Sequence, residues 1–322
     1  MRLAAALFSL CVPFGAPAVP VGLAGAVTQS QGEARAESRV TWRGGSTLEL
    51  AAKGAFVREG EERRAVPGFV LRQTERAEFA VVDRVLARAD GRAIEIGRHF
   101  ERARTSGEVV EPVGRTPFAR RSRLEGKDVV FVGDAEGRDT GRRFVEPDGD
   151  PDLLAGLEAP LDARNFGIVG PLELGRRIPV PANAARHLFL PFGHLRTDAE
   201  AGGGPWQPLL RRALLELDGE LFAVVERLEQ REGGTYAHLR VAGTVGSKVE
   251  EPKVEGAQRH GVDLTFRVEA ALVVRASDRG LAGVQADLAV ELLRRQEVAA
   301  ASTPTQREIE FEGRFQLELN RQ

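Results

Sequence analysis

The stretch "VDLTFRVEAALVV", residues 262–274, decides the fold. Val262, Leu264, Phe266, Val268, Ala270, Leu272 and Val274 alternate with Asp263, Thr265, Arg267 and Glu269. A period of two puts the apolar set on one face of a strand and the charged set on the other, whereas a helix would scatter both sets around its axis. One apolar face and one wet face is the pattern of an antiparallel sheet packed on one side.

The same alternation extends in both directions. After the turn "ASDRG", the run "LAGVQADLAVELLRR" places Val284, Ala286, Leu288, Val290 and Leu292 on one side. Its alanines and leucines would also suit a helix, but the alternation and the preceding hairpin turn favour a strand. "IEFEGRFQLEL" then sets Ile309, Phe311, Phe315, Leu317 and Leu319 against Glu310, Glu312, Arg314, Gln316 and Glu318. Working back, "FAVVDRVLARADG" from Phe79 echoes "FAVVERLEQREGG" from Phe222. Each copy runs into a turn, Asp90-Gly91 or Gly233-Gly234, and then into another alternating segment, so both read as hairpins. The echo is either a duplicated sheet unit or a coincidence of an Arg-, Ala- and Val-rich composition. The predicted fold class is mostly β: long antiparallel curved sheets of open half-barrel type, duplicated or not, with a few short helices as lid or connector.

Arg2, the apolar run through Ala26 and the small-residue exits Ala16-Pro17-Ala18 and Ala24-Gly25-Ala26 form the three parts of a secretory signal. Pro13, Pro17 and Pro20 interrupt the run, unlike a spanning helix of roughly 20 apolar residues. Leu10 before Cys11 is too large for a lipoprotein cleavage site. The expectation is removal of residues 1–26, export to the periplasm or the exterior, and a mature chain without a transmembrane segment. Cys11 is the only cysteine, so that mature chain has no disulfide and no thiolate, and its stability rests on burial. The predicted organisation is a flexible mature N-terminus over 27–36, a first antiparallel β unit over 37–146, a connector with short helices over 147–206 and a second β unit over 207–322.

The net charge of −2 argues against nucleic acid, which needs a concentrated positive field. Basic residues are nearly all arginine, with lysine only at positions 53, 127, 248 and 253, as a GC-rich genome would produce. "GRTPFARRSRLEGK" gathers Arg115, Arg120, Arg121, Arg123 and Lys127 and reads first as an exposed, mobile loop and second as a contact for an anionic surface. In the connector, Asp148, Asp150 and Asp152 hint at calcium, but Leu153 and Ala159 stand where a calcium loop needs Gly and Glu. Asp150 as N-cap, Pro151 at the first helical position and Asp152 in the first turn instead predict a short helix over "LLAGLE". Pro181 and Pro191 bracket a second, "VPANAARHLFLPF", which would lay Ala184, Leu188 and Phe189 on a sheet. His187 and His194 lack a third ligand, and His99, His238 and His260 stand alone in the sequence, so no metal is expected.

No GxSxG elbow, HExxH, GxGxxG or phosphate loop occurs. No catalytic residue and no cofactor are assigned, and the chain reads as a non-enzyme; an unrecognised hydrolase with dispersed residues is the least favoured alternative. Together, the long alternating strands with the short helices "DPDLLAGLE" and "VPANAARHLF" resemble the periplasmic lipoprotein-carrier half-barrels of the LolA/LolB type. "LEGKDVVFVG" with "VGPLELGRRIPVP" is similar to uncharacterised exported bacterial β-proteins. The first resemblance implies an apolar concavity under a helical lid, with lipid or a lipoprotein acyl chain as partner. The ligand-facing residues would be Leu188, Phe189, Phe266, Leu288, Phe311 and Phe315. The alternative is a structural or interaction module of the envelope in which these side chains fill the core. Oligomeric state is not legible.

Overall fold

A computed structural model describes residues 39–89, 92–134, 139–147, 149–193, 195, 206–252, 258–298 and 305–322. The signal segment, the 27–36 tail, the Asp90-Gly91 turn, Asp148 and His194 lie outside them. The first half of the chain forms β1 (Arg39–Glu59), β2 (Glu62–Ala65), β3 (Arg72–Ala89), β4 (Arg92–Glu111), β5 (Gly114–Arg121), β6 (Asp128–Gly133) and β7 (Asp139–Phe144). After a connector come β8 (Arg177–Val180), α1 (Ala185–Phe189), α2 (Trp206–Leu215), β9 (Asp218–Arg231), β10 (Gly234–Glu250), β11 (Arg259–Arg275), β12 (Leu281–Val298) and β13 (Thr305–Arg321). All thirteen strands belong to one antiparallel sheet that does not close into a barrel. Its order is β7-β6-β4-β3-β1-β13-β12-β11-β10-β9-β8, with β2 added to β1 and β5 to β4.

This order is two meanders joined where the first and last described strands meet. β1 runs beside β13 from Trp42 opposite Arg321 to Glu59 opposite Thr305. Tight coiling at that seam depends on Gly313, because a Cβ there would lie 2.1 Å from the Glu49 carbonyl oxygen. The alternation read at 262–274 holds along the strand: Val262 to Val274 are buried in turn, and the register carries that face across Leu288 and Phe315 to Leu48.

The echo occupies equivalent hairpins but not equivalent faces. Phe79 and Val81 share the inner face with Trp42, whereas Ala223 and Val225 take it in β9 and Phe222 turns outward beneath Arg177. Aligned residue for residue, the two copies are one position out of phase, which inverts every side chain. Gly233 and Gly234 do make the second turn, at φ 94° and 124°.

Three local expectations change. "GRTPFARR" is not a mobile loop but β5, paired with the outer half of β4 while β6 pairs with the inner half. Among the described strands its only partner is β4, so Pro117 sits on an edge strand, where a missing donor is tolerated. The Asp150 cap is present, its carboxylate accepting from Asp152 N at 3.0 Å, but the turn is a 3-10 helix ending at Leu154. Ala155 leaves the turn in extended backbone and Gly156 follows at φ 86°, so the helix does not continue through "LLAGLE". Finally, α2 stands at 206–215, where the second β unit was expected to begin. Leu209, Leu210, Ala213 and Leu214 bury its inner side, and it packs on β10 and β11.

Candidate functional site

The inner face of the sheet has an apolar middle and two polar ends. In the middle, the five-residue helix α1 drives Leu188 and Phe189 onto the sheet. Phe189 stacks against Phe315 with centroids 4.5 Å apart and against Phe266 at 5.4 Å. Leu288 lies opposite both Phe315 and Val268, so it completes the floor of that contact. Phe311 is one row further along, opposite Leu292. All six residues proposed from the sequence are therefore inward and buried, and they belong to one hydrophobic cluster. None lines any of the three clefts described below.

One end of the face is dominated by Arg98, fully buried on β4. Its Nε and Nη2 donate to the two carboxylate oxygens of Asp83 at 2.7 and 2.9 Å, and Nη1 donates to the Glu158 carbonyl at 3.2 Å. Phe131 and Phe192 lie 5.0 and 5.3 Å from the guanidinium carbon. The connector closes this end, with Arg186 Nε 3.2 Å from Glu158 Oε1 and His187 Nδ1 4.0 Å from Glu158 Oε2. Burial, aided by neighbouring Arg186, pushes the His187 pKa down to about 4, so the ring is neutral near pH 7. A cleft of about 540 Å³ opens here, lined by Trp42, Asp83, Glu158, Arg164, His187 and Arg321 among others.

At the other end lies Arg294 on β12, between Ile309 of β13 and Val262 of β11. It is 3 % exposed. Its guanidinium carbon is 5.1 Å from the Trp206 ring and 5.6 Å from the Phe311 ring. Nε and Nη2 are buried and have no hydrogen-bond partner, and no acidic side chain pairs with it among the described residues. Burial pushes its pKa down to about 9, which leaves it a cation at neutral pH. Trp206 also meets His260 edge-on at 4.9 Å, and His260 Nδ1 is 2.8 Å from Glu251. Ser247, one row along and opposite Leu264, has a buried Oγ without a partner.

Two further clefts are open and outward. A groove of about 860 Å³ crosses the outer face, where Arg240 pairs with Glu269 and Asp287 with Arg314. Another, of about 500 Å³, lies at the β8–β9 edge beside Arg177 and Phe222. The other described histidines are dispersed: His99 meets Asp128, His238 meets Glu229 and His260 meets Glu251, each at hydrogen-bond distance from one carboxylate. Among the described residues no group of three or more His, Cys, Asp or Glu converges on one point. Nor is any described helix long and apolar enough to cross a membrane.

Arg98, Asp83, Arg294 and Trp206 were not singled out from the sequence, although a signal for three of them exists. Continuing the alternation two residues past Leu292 turns Arg294 inward, and counting back two from Phe100 does the same for Arg98. Asp83 follows Val81 in the same way. Nothing local points to Trp206. No protein-family model and no curated protein matches the chain.

Proposed function

We propose that this protein is an exported, non-enzymatic envelope protein that holds an apolar ligand, a lipid or a lipoprotein acyl chain, on the inner face of its curved sheet. The observation that carries this reading is the seat of α1. A helical stretch this short, a 3-10 turn over Ala182–Ala184 running into α1, has little stability of its own; it stays in place because Leu188 and Phe189 occupy an apolar floor. Pro181 and Pro191 mark where the chain enters and leaves it. A short plug on a long apolar floor is the arrangement that a ligand can displace, and it supports the likeness to the LolA/LolB half-barrels. In this reading α1 is a lid that occupies the site when no ligand is present. The complete burial of all six residues favours a second reading, a structural module whose core they fill.

Titration of the full-length mature protein with Nile red and with oleyl alcohol separates the two. Ligand binding is expected to give saturable dye fluorescence, displaced by the alcohol, and a rise in Tm with alcohol concentration. In Leu188→Ala/Phe189→Ala, dye affinity is expected to increase because the competing side chains are gone. Folding stability should fall by about 2–5 kcal/mol for each truncated residue. A wild-type protein that neither binds the dye nor gains Tm leaves only the structural reading. Native mass spectrometry of exported material reads the same proposal directly, as a chain beginning at Val27 with co-purified lipid.

A further inference from the structure

We infer that Arg294 is the head-group anchor of this site, and that the ligand is a long-chain amphiphile ending in a carboxylate. The inference rests on the apolar-ligand reading above and names the ligand's polar end.

The evidence is the edge that Arg294 leaves unused. Four other arginines show Nε and Nη2 acting together as a fork. Arg98 gives that edge to Asp83, Arg64 to Glu62, Arg164 to Asp162 and Arg231 to Glu229, each donating to both oxygens of one carboxylate. These two donors are parallel and spaced to match a carboxylate, which makes the pair specific as well as strong. In Arg294 the same two atoms are buried and unpartnered. Trp206 and Phe311 stabilise the charge by cation–π attraction, but their ring positions do not satisfy those in-plane donors. A buried cation with unused donors is costly in a protein whose function is only to pack, and a methionine would fill the same space.

Position adds the second half. From Leu288, under Phe189, the inner face runs through Val290 and Leu292 to Arg294. Six residues of strand span about 20 Å, the length of a long-chain acyl tail. Phe266, Leu264 and Phe311 flank this track on the neighbouring strands. The track is apolar over its length and cationic at one end. Ser247 Oγ is another unpartnered polar atom on the same face at that end. The opposite end cannot play this part, because the buried guanidinium there already holds Asp83.

The test is Nile red displacement by three probes of one chain, oleate, oleyl alcohol and oleyl phosphate, on wild type, Arg294→Lys and Arg294→Met. Oleate is expected to bind wild type about 10- to 100-fold more tightly than the alcohol, the range of a charge-assisted pair. Arg294→Met should lose that preference while binding the alcohol as before. Arg294→Lys, which keeps the charge without the fork, should lose most of it and serves as the folded control. Oleate and alcohol binding equally to wild type, or unchanged oleate affinity in Arg294→Met, overturns the head-group assignment and leaves the apolar-ligand reading standing. Oleyl phosphate outcompeting oleate overturns the choice of carboxylate. If none of the three displaces the dye, both the assignment and the reading beneath it fall.

Discussion

The two ends of the inner face each bury one arginine between aromatic rings, and only one of those arginines is neutralised. Arg98 lies against Phe131 and Phe192 and donates to Asp83 and Glu158. Arg294 lies against Trp206 and Phe311 and donates its Nε–Nη2 edge to nothing. The rings are the common element and the carboxylate is the difference. Locked to its own acid, a buried guanidinium ties β3, β4 and the connector together; without one, it keeps two buried donors unpaired.

The most forceful way to break that comparison is to make both arginines methionine, one at a time. Arg98→Met strands Asp83 in the interior and is expected to lower the unfolding free energy by about 3–5 kcal/mol. Arg294→Met removes an unpaired buried charge and is expected to be neutral or stabilising by about 1–2 kcal/mol. Denaturant midpoints of the two variants measure both, and a large loss at Arg294 would mean that it has a structural partner after all.

His187 sharpens the Arg98 end. Its folded pKa of about 4 lies below the ordinary 6.5, so folding excludes a proton that the unfolded chain binds. Stability is complete above pH 6.5 and is lost as pH falls toward 4, by an amount on the order of 2 kcal/mol. Thermal melts of wild type and His187→Gln across pH 4–7 should diverge on the acid side, the variant showing the shallower fall. Parallel curves would remove His187 from the account of that end.

The smallest effect belongs to Glu75, a half-buried acid on the inner face opposite Leu48. Burial pushes its pKa up to about 7, against the pull of Arg120. The folded state here holds a proton that the unfolded chain releases, so stability is greatest below pH 4.5 and falls as pH rises through 7. The slope is opposite in sign to that of His187. Glu75→Gln should be more stable than wild type at pH 8, by about 1–2 kcal/mol after allowing for its partial exposure, and nearly equal to it at pH 4.5. Equal melting temperatures at both pH values would show that water reaches this carboxyl freely.

What could be read in the chain follows from how local each signal is. Alternation at 262–274, 281–295 and 309–319 is a property of neighbouring residues, and a period of two has one structural meaning, so strand identity and the inward set were legible, including Phe266, Leu288, Phe311 and Phe315. The caps and prolines at Asp150, Pro151 and Pro181 are local in the same way. Pairing is not local. That β13 lies along β1, that the two meanders form one sheet, and that the Phe79 and Phe222 copies face opposite ways depend on register between segments far apart in the chain. Each segment's alternation limits the register but does not choose its partner. The same limit applies to charge. Alternation turns Arg98 and Arg294 inward alike; only the folded arrangement, which sets Asp83 against one and an aromatic pair alone against the other, decides that the first is satisfied and the second is not.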